Sequence, residues 1–410
     1  MRISTGMMFE VSTRGMLNDQ AELLRTQQQM SSGKRMLSAS DDPVAASQAL
    51  GVRADEALST QRAANQSSAR GKLEIAEGKL GAAGDLLTNA RTLIVAAGDG
   101  VLTDTDRQAI AAGLRGMYAE LLGTANARDG QGRYLFSGYQ DGTQAFTETA
   151  AGVVYNGDQG SRSLAVTSSR QIAVSDNGHS IFETGRSGNG VFKTALANAN
   201  TGTGSVSVGG VYDATLLTGH SYQVVFGVAG GVTTYDVVDI TGSPPGTPPP
   251  VTLSSGNAYT SGTAIRFDGM EISVEGSPAN GDLVDVTPST SQNLFKTLAD
   301  AINAISAPAG APSARARLTS ALATALAELD SGAERVLAAR ADFGSRLREL
   351  DDLGVLGESE RVLLAGQRSA LEDVDYAKAA SDFQRQQVAL QAAMQTQVKM
   401  TSLSLFNFIG

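Results

Sequence analysis

The sequence contains no cysteine and no tryptophan, and aromatic residues make up only 5% of its 410 positions. The absence of cysteine excludes disulfides, thiol catalysis and cysteine metal sites. The core of this protein must therefore be built mainly from Ala, Leu, Val and Ile. The length is enough for two or three domains of ordinary size.

The chain also lacks an excess of positive charge and any long apolar run. Lys and Arg number 32 against 42 Asp and Glu, a formal net charge of −10, whereas proteins that neutralise phosphates are normally basic. No run of about eighteen apolar residues exists, and residues 1–10 lack the apolar centre of a secretory signal. These absences argue against nucleic acid and membrane insertion, and composition alone favours a cytoplasmic protein.

Candidate catalytic and metal-binding residues are few. Only two histidines exist, His179 and His220, and neither has a second histidine or a carboxylate at ligand spacing. The carboxylates at 41–42 fit a helix cap, and those at 351–352 and 373–375 lie in helical patterns. We therefore expect no enzyme activity, no cofactor and no metal site.

The first third of the chain has a helical pattern. Residues 1–42 form the first segment, in which Met16, Leu23, Met30 and Leu37 are spaced by seven, and this spacing predicts an amphipathic helix from about Ser12. Residues 43–140 form a second segment, because Asp42 is a good N-cap and Pro43 a good first helical residue. The helix that begins at Pro43 should end near Ala97, and the next helix should run from Thr103-Asp104 to about Asn126. A seven-residue repeat predicts the core positions Leu73, Leu80, Leu87 and Ile94.

The composition changes over residues 141–290. No Lys or Arg lies between Lys193 and Arg266, and short alternating runs flank Gly230-Gly231, which predicts a β-hairpin. Five prolines between 241 and 250 predict a loop. We interpret this segment as one or two small antiparallel β domains, inserted between the helical segments.

The helical pattern returns over residues 291–372 and 373–410. One heptad register continues for about 75 Å at 1.5 Å per residue, and Gly354 and Gly357 are the positions where it could kink. Its apolar members are Leu322, Leu329, Val336, Phe343, Leu350, Leu364 and Leu371. The predicted fold is α+β: a long-helix coiled-coil bundle formed by both termini, with an antiparallel β domain inserted in the middle. These stripes also fit the core of an ordinary monomeric bundle.

Several segments together resemble the flagellin superfamily. They are Gln29–Met36 with Ser40–Ala46, Ala125–Gly138, Asp373–Ala377 and Gln387–Ala393. Within the superfamily, Met1–Thr5 and Leu403–Phe408 resemble the hook-associated branch more than flagellin itself. The resemblance covers both helical thirds, roughly residues 1–140 and 290–410, and is weakest in the β segment.

The resemblance implies a structural subunit of the bacterial flagellum. It implies a homo-oligomeric ring between hook and filament, with hook-associated protein 1 and flagellin as partners and a flagellar export chaperone as a further candidate. The terminal helices, 1–42 and 373–410, would form an inner tube, and 43–140 and 291–372 the two halves of a rod domain. It also implies an extracellular location reached through the flagellar channel without a cleaved signal. The expected packing residues of the tube are Met16, Leu23, Met30, Leu390, Met394, Val398 and Leu405.

Two alternatives remain open at this point. The same pattern fits flagellin, the filament subunit, which polymerises without limit. A carbohydrate-binding or hydrolytic role for residues 140–290 is a third hypothesis, although no aromatic platform or carboxylate pair stands out there. Whether the chain is a hook-associated subunit or flagellin, its low-charge amphipathic ends suit segments that stay loose in the monomer and order on assembly.

Overall fold

The computed structural model describes residues 5–242 and 250–409, except the side chains of residues 5, 6, 8 and 400–409. Seven α-helices and one 3₁₀ turn, Ala214–Leu216, occur in these ranges. The helices are α1 Thr5–Ser32, α2 Pro43–Ala97, α3 Asp104–Ala125, α4 Gly178–Phe182, α5 Leu294–Ser306, α6 Pro312–Glu372 and α7 Tyr376–Ile409.

The described β-structure comprises fifteen short strands, all paired antiparallel. The strands are β1 Phe146–Thr149, β2 Gly152–Tyr155, β3 Ser163–Ala165, β4 Gln171–Ala173, β5 Gly185–Arg186, β6 Phe192–Leu196, β7 Ser205–Val206, β8 Gly210–Val211, β9 Tyr222–Ala229, β10 Val232–Asp239, β11 Val251–Ala258, β12 Ala264–Phe267, β13 Met270–Glu275, β14 Leu283–Pro288 and β15 Ser291–Gln292. The predicted α+β class, with a β insertion between helical ends, is confirmed.

The chain forms two compact units. A central unit comprises residues 66–351, and a terminal unit combines residues up to 65 with those from 352 onward. The divide falls inside α2 and α6, so each of these long helices belongs to both units. The five-segment division predicted above remains a prediction.

The helical core of the central unit follows the heptad registers. The predicted α2 residues Leu73, Leu80, Leu87 and Ile94 are buried, as are five members of the α6 register, Leu322, Leu329, Val336, Phe343 and Leu350. Helix α2 begins at Pro43 as predicted, and α3 begins with a capping box in which the Thr103 hydroxyl accepts from the Asp106 amide. Helix α6 continues through Gly354 and Gly357 without a break.

A β-sandwich forms the largest part of the insertion. One sheet has the order β11-β10-β9-β14-β6, and a second has the order β12-β13-β7, with β8 also paired to β13. Alternate residues Tyr222, Val224 and Phe226 of β9 point into a core that both sheets share. The predicted hairpin is confirmed: Ala229 pairs with Val232, and both intervening glycines have positive φ. Most of the predicted loop at 241–250 lies outside the described residues.

A separate aromatic cluster joins the small strands to α5. The rings of Phe146, Phe182 and Phe295 lie 5.2–5.9 Å apart, in the range for favourable aromatic pairs. All three side chains are buried. This cluster was not predicted from the sequence, because its members come from three segments with no shared period.

Truncation of Leu80 tests the α2 core. Leu80→Ala removes a fully buried side chain, and we expect it to lower the free energy of unfolding by about 2–5 kcal/mol. Ile75 is 38% exposed on the same helix, and Ile75→Ala should cost about 1 kcal/mol or less. Urea denaturation followed by circular dichroism measures both. Equal losses would contradict the assigned core face.

Candidate assembly interface

The terminal unit pairs the two ends of the chain. Gln397 near the end of α7 hydrogen-bonds Ser12 and Thr13 of α1, whereas Lys34 just after α1 reaches Glu372 just before α7. The two helices therefore run antiparallel. Their covered faces alternate in steps of four and three, the spacing of a coiled-coil seam. The seam residues are Ser12, Met16, Asp19, Leu23, Thr26 and Met30 of α1 and Ala379, Phe383, Gln386, Leu390, Ala393 and Gln397 of α7.

This seam is weak by the standard of a buried core. Only Thr26 and Ala379 are fully buried in it, and the other seam positions are half-buried. Five of the twelve seam positions carry a polar side chain. Burial of roughly 25 cal/mol per Å² of apolar surface therefore contributes little here compared with the core of the central unit.

The residues predicted to pack the inner tube fall on two different faces. Met16, Leu23, Met30 and Leu390 lie half-buried in the seam. Met394 and Val398 are 44% and 66% exposed on another face of α7. The side chain of Leu405 lies outside the described residues. The structure thus brings four of the seven together, and the assignment of all seven to an assembly contact stays a prediction.

A set of contacts that sequence reasoning missed joins the turn after α1 to the turn before α7. We call it the clasp: residues 33–35 with 371–374, together with Arg53. The Arg35 amide donates to the Glu372 carbonyl at 2.7 Å, and the Val374 amide to the Gly33 carbonyl at 3.0 Å. Gly33 has a φ of +72°, which ends α1 in the left-handed conformation that glycine tolerates best.

Glu372 is the ionic centre of the clasp. Its carboxylate lies 2.6 Å from the Arg53 Nε and 2.6 Å from the Lys34 Nζ, and its side chain is only 5% exposed. Hydrogen bonds from Arg53 and Lys34 outweigh burial and lower the pKa of Glu372 from 4.5 to about 2. The carboxylate therefore remains ionised at any physiological pH and ties both turns to α2.

The neighbouring turn into α2 is held by two further carboxylates. Asp42 accepts from the Ala45 amide at 3.0 Å, which confirms the predicted N-cap, and backbone hydrogen bonding lowers its pKa. Asp41 accepts from the amides of Leu37 and Ser38 and pairs with Arg25 at 3.0 Å. The pair at 41–42 is thus structural, as expected.

The surface of the terminal unit is unusually apolar. This unit holds fewer than a third of the residues, yet it contains more than half of the exposed large hydrophobic side chains found in the described parts of the chain. They include Leu17 and Leu24 on α1, Val388 on α7, and groups on α2 and α6. Such surface normally marks a contact with another protein.

The two histidines correct one expectation from the sequence. Each histidine does have a carboxylate partner: His179 Nδ1 lies 2.7 Å from Glu183, four residues on, and His220 Nδ1, just before β9, lies 2.7 Å from Asp239 at the end of β10. The turn-like sequence around both histidines hid these partners. Among the described residues no group of three His, Cys, Asp or Glu could hold a metal ion, and no helix there is long and apolar enough to cross a membrane.

Replacement of Glu372 tests the clasp. The folded pKa is lowered, so its stabilisation is complete above pH 4.5 and is lost as the pH falls toward 2. Glu372→Gln should remove that pH dependence and lower the local opening free energy at neutral pH by about 1–2 kcal/mol. Hydrogen exchange of the Arg35 and Val374 amides measures it. Glu358→Gln, at an exposed site on the same helix, should leave the exchange unchanged; an equal effect would contradict the role of Glu372.

Comparison with known proteins agrees with this architecture. The family model described as the bacterial flagellin N-terminal helical region matches residues 3–141. Flagellar hook-associated protein 3 of Salmonella typhimurium and of Escherichia coli are each 28% identical to this chain over 407 residues, covering 99% of both chains.

Solved structures give the same result. Flagellar hook-associated protein 3 of Legionella pneumophila is 30% identical, with a TM-score of 0.72 over 78% of this chain and 98% of that one. FlgL of Xanthomonas campestris is 29% identical, with a TM-score of 0.70 over 77% and 98%. The similarity includes the helical ends and the β insertion, and the chain belongs to the flagellar hook-associated protein 3 family.

Proposed function

We propose that this protein is a structural adaptor of the bacterial flagellum that joins the hook side to the flagellin filament through self-assembly of its terminal helices. The observation that carries the proposal is the terminal unit: its ends pair through a partly polar seam and leave most of their described large apolar side chains exposed. A relative that matches 99% of the chain is named as a hook-associated protein, and one that matches 70% is named as a flagellar junction protein, which favours this role over that of the filament subunit.

Assembly supplies the burial that the monomer lacks. The pair of α1 and α7 gains little apolar burial in the monomer, and most of the stability of a helix in a protein comes from the packing of its apolar face. Contact with neighbouring copies would cover its exposed side chains and stabilise it by mass action. We infer that the terminal helices form the inner tube of a homo-oligomeric ring.

The partners in this proposal occupy the two faces of the ring. Hook-associated protein 1 would lie on the hook side and flagellin on the filament side, and a flagellar export chaperone would hold the exposed ends before assembly. The protein would reach this position through the flagellar channel, without a cleaved signal peptide. Ends that unfold at low cost suit passage through a narrow channel.

Deletion of the gene tests the position in the flagellum. We expect cells to retain hooks and to shed flagellin into the medium as monomer, because the filament would lack its attachment layer. Electron microscopy of hooks and immunoblots of the medium measure this. Loss of the filament without a separate flagellin in the medium would instead identify this chain as the filament subunit.

Charge insertion in the seam tests the assembly residues. Leu23→Asp or Leu390→Asp should prevent incorporation and motility, because an unpaired charge would enter the proposed tube. Circular dichroism should still show a folded central unit. Leu337 is exposed on α6 in the central unit, so Leu337→Asp is the matched control and should incorporate. Normal motility of both seam variants would refute this assignment.

A further inference from the structure

Within the terminal unit, helix α2 has a buried face of small residues and an exposed apolar face. Ala45, Ala49 and Ser59 are buried on one face. At 3.6 residues per turn, a second set lies on the opposite side and is exposed, with Val44, Leu50 and Leu58 accessible over 54–69% of their surface. We call the second set, with the intervening small residues Gly51 and Ala54, the α2 stripe. A monomer gives no reason for apolar residues there.

Helix α6 shows the same arrangement. Leu364 is buried, whereas two pairs spaced by seven residues, Val355-Leu356 and Val362-Leu363, are 61–70% exposed. We call these four residues the α6 stripe. Four adjacent exposed branched side chains, repeating at heptad spacing, are typical of a helix that packs against another helix.

The chain cannot cover these stripes with its own α2 and α6. Within one chain the two helices face each other through the sides that carry Arg53 with Glu372 and Glu56 with Arg368. The stripes lie on the remaining sides. Nothing else among the described residues of the terminal unit buries them.

We propose that the α2 stripe of one copy packs against the α6 stripe of the neighbouring copy. The proposal rests on the ring described above and names its lateral contact. A cyclic ring needs a heterologous interface made by two different surfaces of the same chain. A ring also orients all copies in the same direction. Because α2 and α6 are antiparallel within one chain, α2 of one copy and α6 of the next are antiparallel as well.

One antiparallel register matches both stripes. Leu58 opposite Leu356 places Leu363 opposite Gly51, whose missing side chain leaves open space. The same register places Arg62 opposite Asp352, one turn beyond the stripes. Neither of these two charges forms an ion pair among the described residues. This alignment combines apolar fit at two positions with a complementary charge pair, which favours a second copy over an unrelated partner.

Thiol cross-linking tests this contact in assembled flagella, because the native chain has no cysteine. The test chain carries Leu58→Cys and Leu356→Cys. The control chain carries Thr60→Cys and Glu358→Cys. Both positions are exposed, and each lies two residues after the corresponding test position, on another face of its helix. Each replaces the native gene, flagella are isolated, and thiols are joined by oxidation or by a short bismaleimide. Non-reducing gels then separate the products.

We expect a ladder of covalent multimers of this chain from the test pair and monomer from the control pair. Failure of the test chain alone to incorporate would also support the contact, since only the stripes differ. Incorporated test chain that stays monomeric, or that is joined to a different protein, would overturn the proposed contact and leave the adaptor function standing. Absence of the unmodified chain from isolated flagella would refute the adaptor function itself.

Discussion

The terminal unit depends on one long-range interaction, the clasp around Glu372. Lys34 and Glu372 are 338 residues apart in sequence, and closing so long a loop has an entropic cost that a single ion pair cannot offset. The antiparallel packing of α2 and α6 offsets this entropic cost, because it brings residues 33–42 close to residues 372–376. The clasp then fixes where α1 and α7 begin to pair.

Fixing the start of that pairing matters more than strengthening it. A buried carboxylate with two cationic partners contributes modest net stability, because removal of its hydration opposes the attraction. Its directional hydrogen bonds nevertheless permit few alignments of the two turns. A seam of mostly half-buried residues, among them Met, Leu and Gln, can then remain weak without losing its register. Weak pairing in the monomer is compatible with a chain that completes its burial in an assembly.

The sequence predicted the parts of this structure that rest on local periodicity. The heptads through Leu80 and Leu329, the cap at Asp42 and the hairpin at Gly230-Gly231 each have a signal within one or two turns of chain. The clasp has none, because its partners are isolated charges in distant segments. For a related reason, only four of the seven predicted interface residues lie together in the seam. Periodicity identifies the apolar faces of a helix such as α7, but it does not show which of these faces the same chain covers.

The two units differ in the share of large apolar side chains that they expose. In the central unit, the sandwich and the heptad core bury most of the large apolar side chains within the monomer. The terminal unit exposes a larger share of its described large apolar side chains, and polar side chains within its seam oppose indiscriminate association. The net charge of −10 on the whole chain opposes association more generally. Specific contact then requires a surface that presents apolar residues along a helix together with a matching charge. In the contact proposed above, the α2 stripe of another copy would supply the apolar residues and Arg62 the charge.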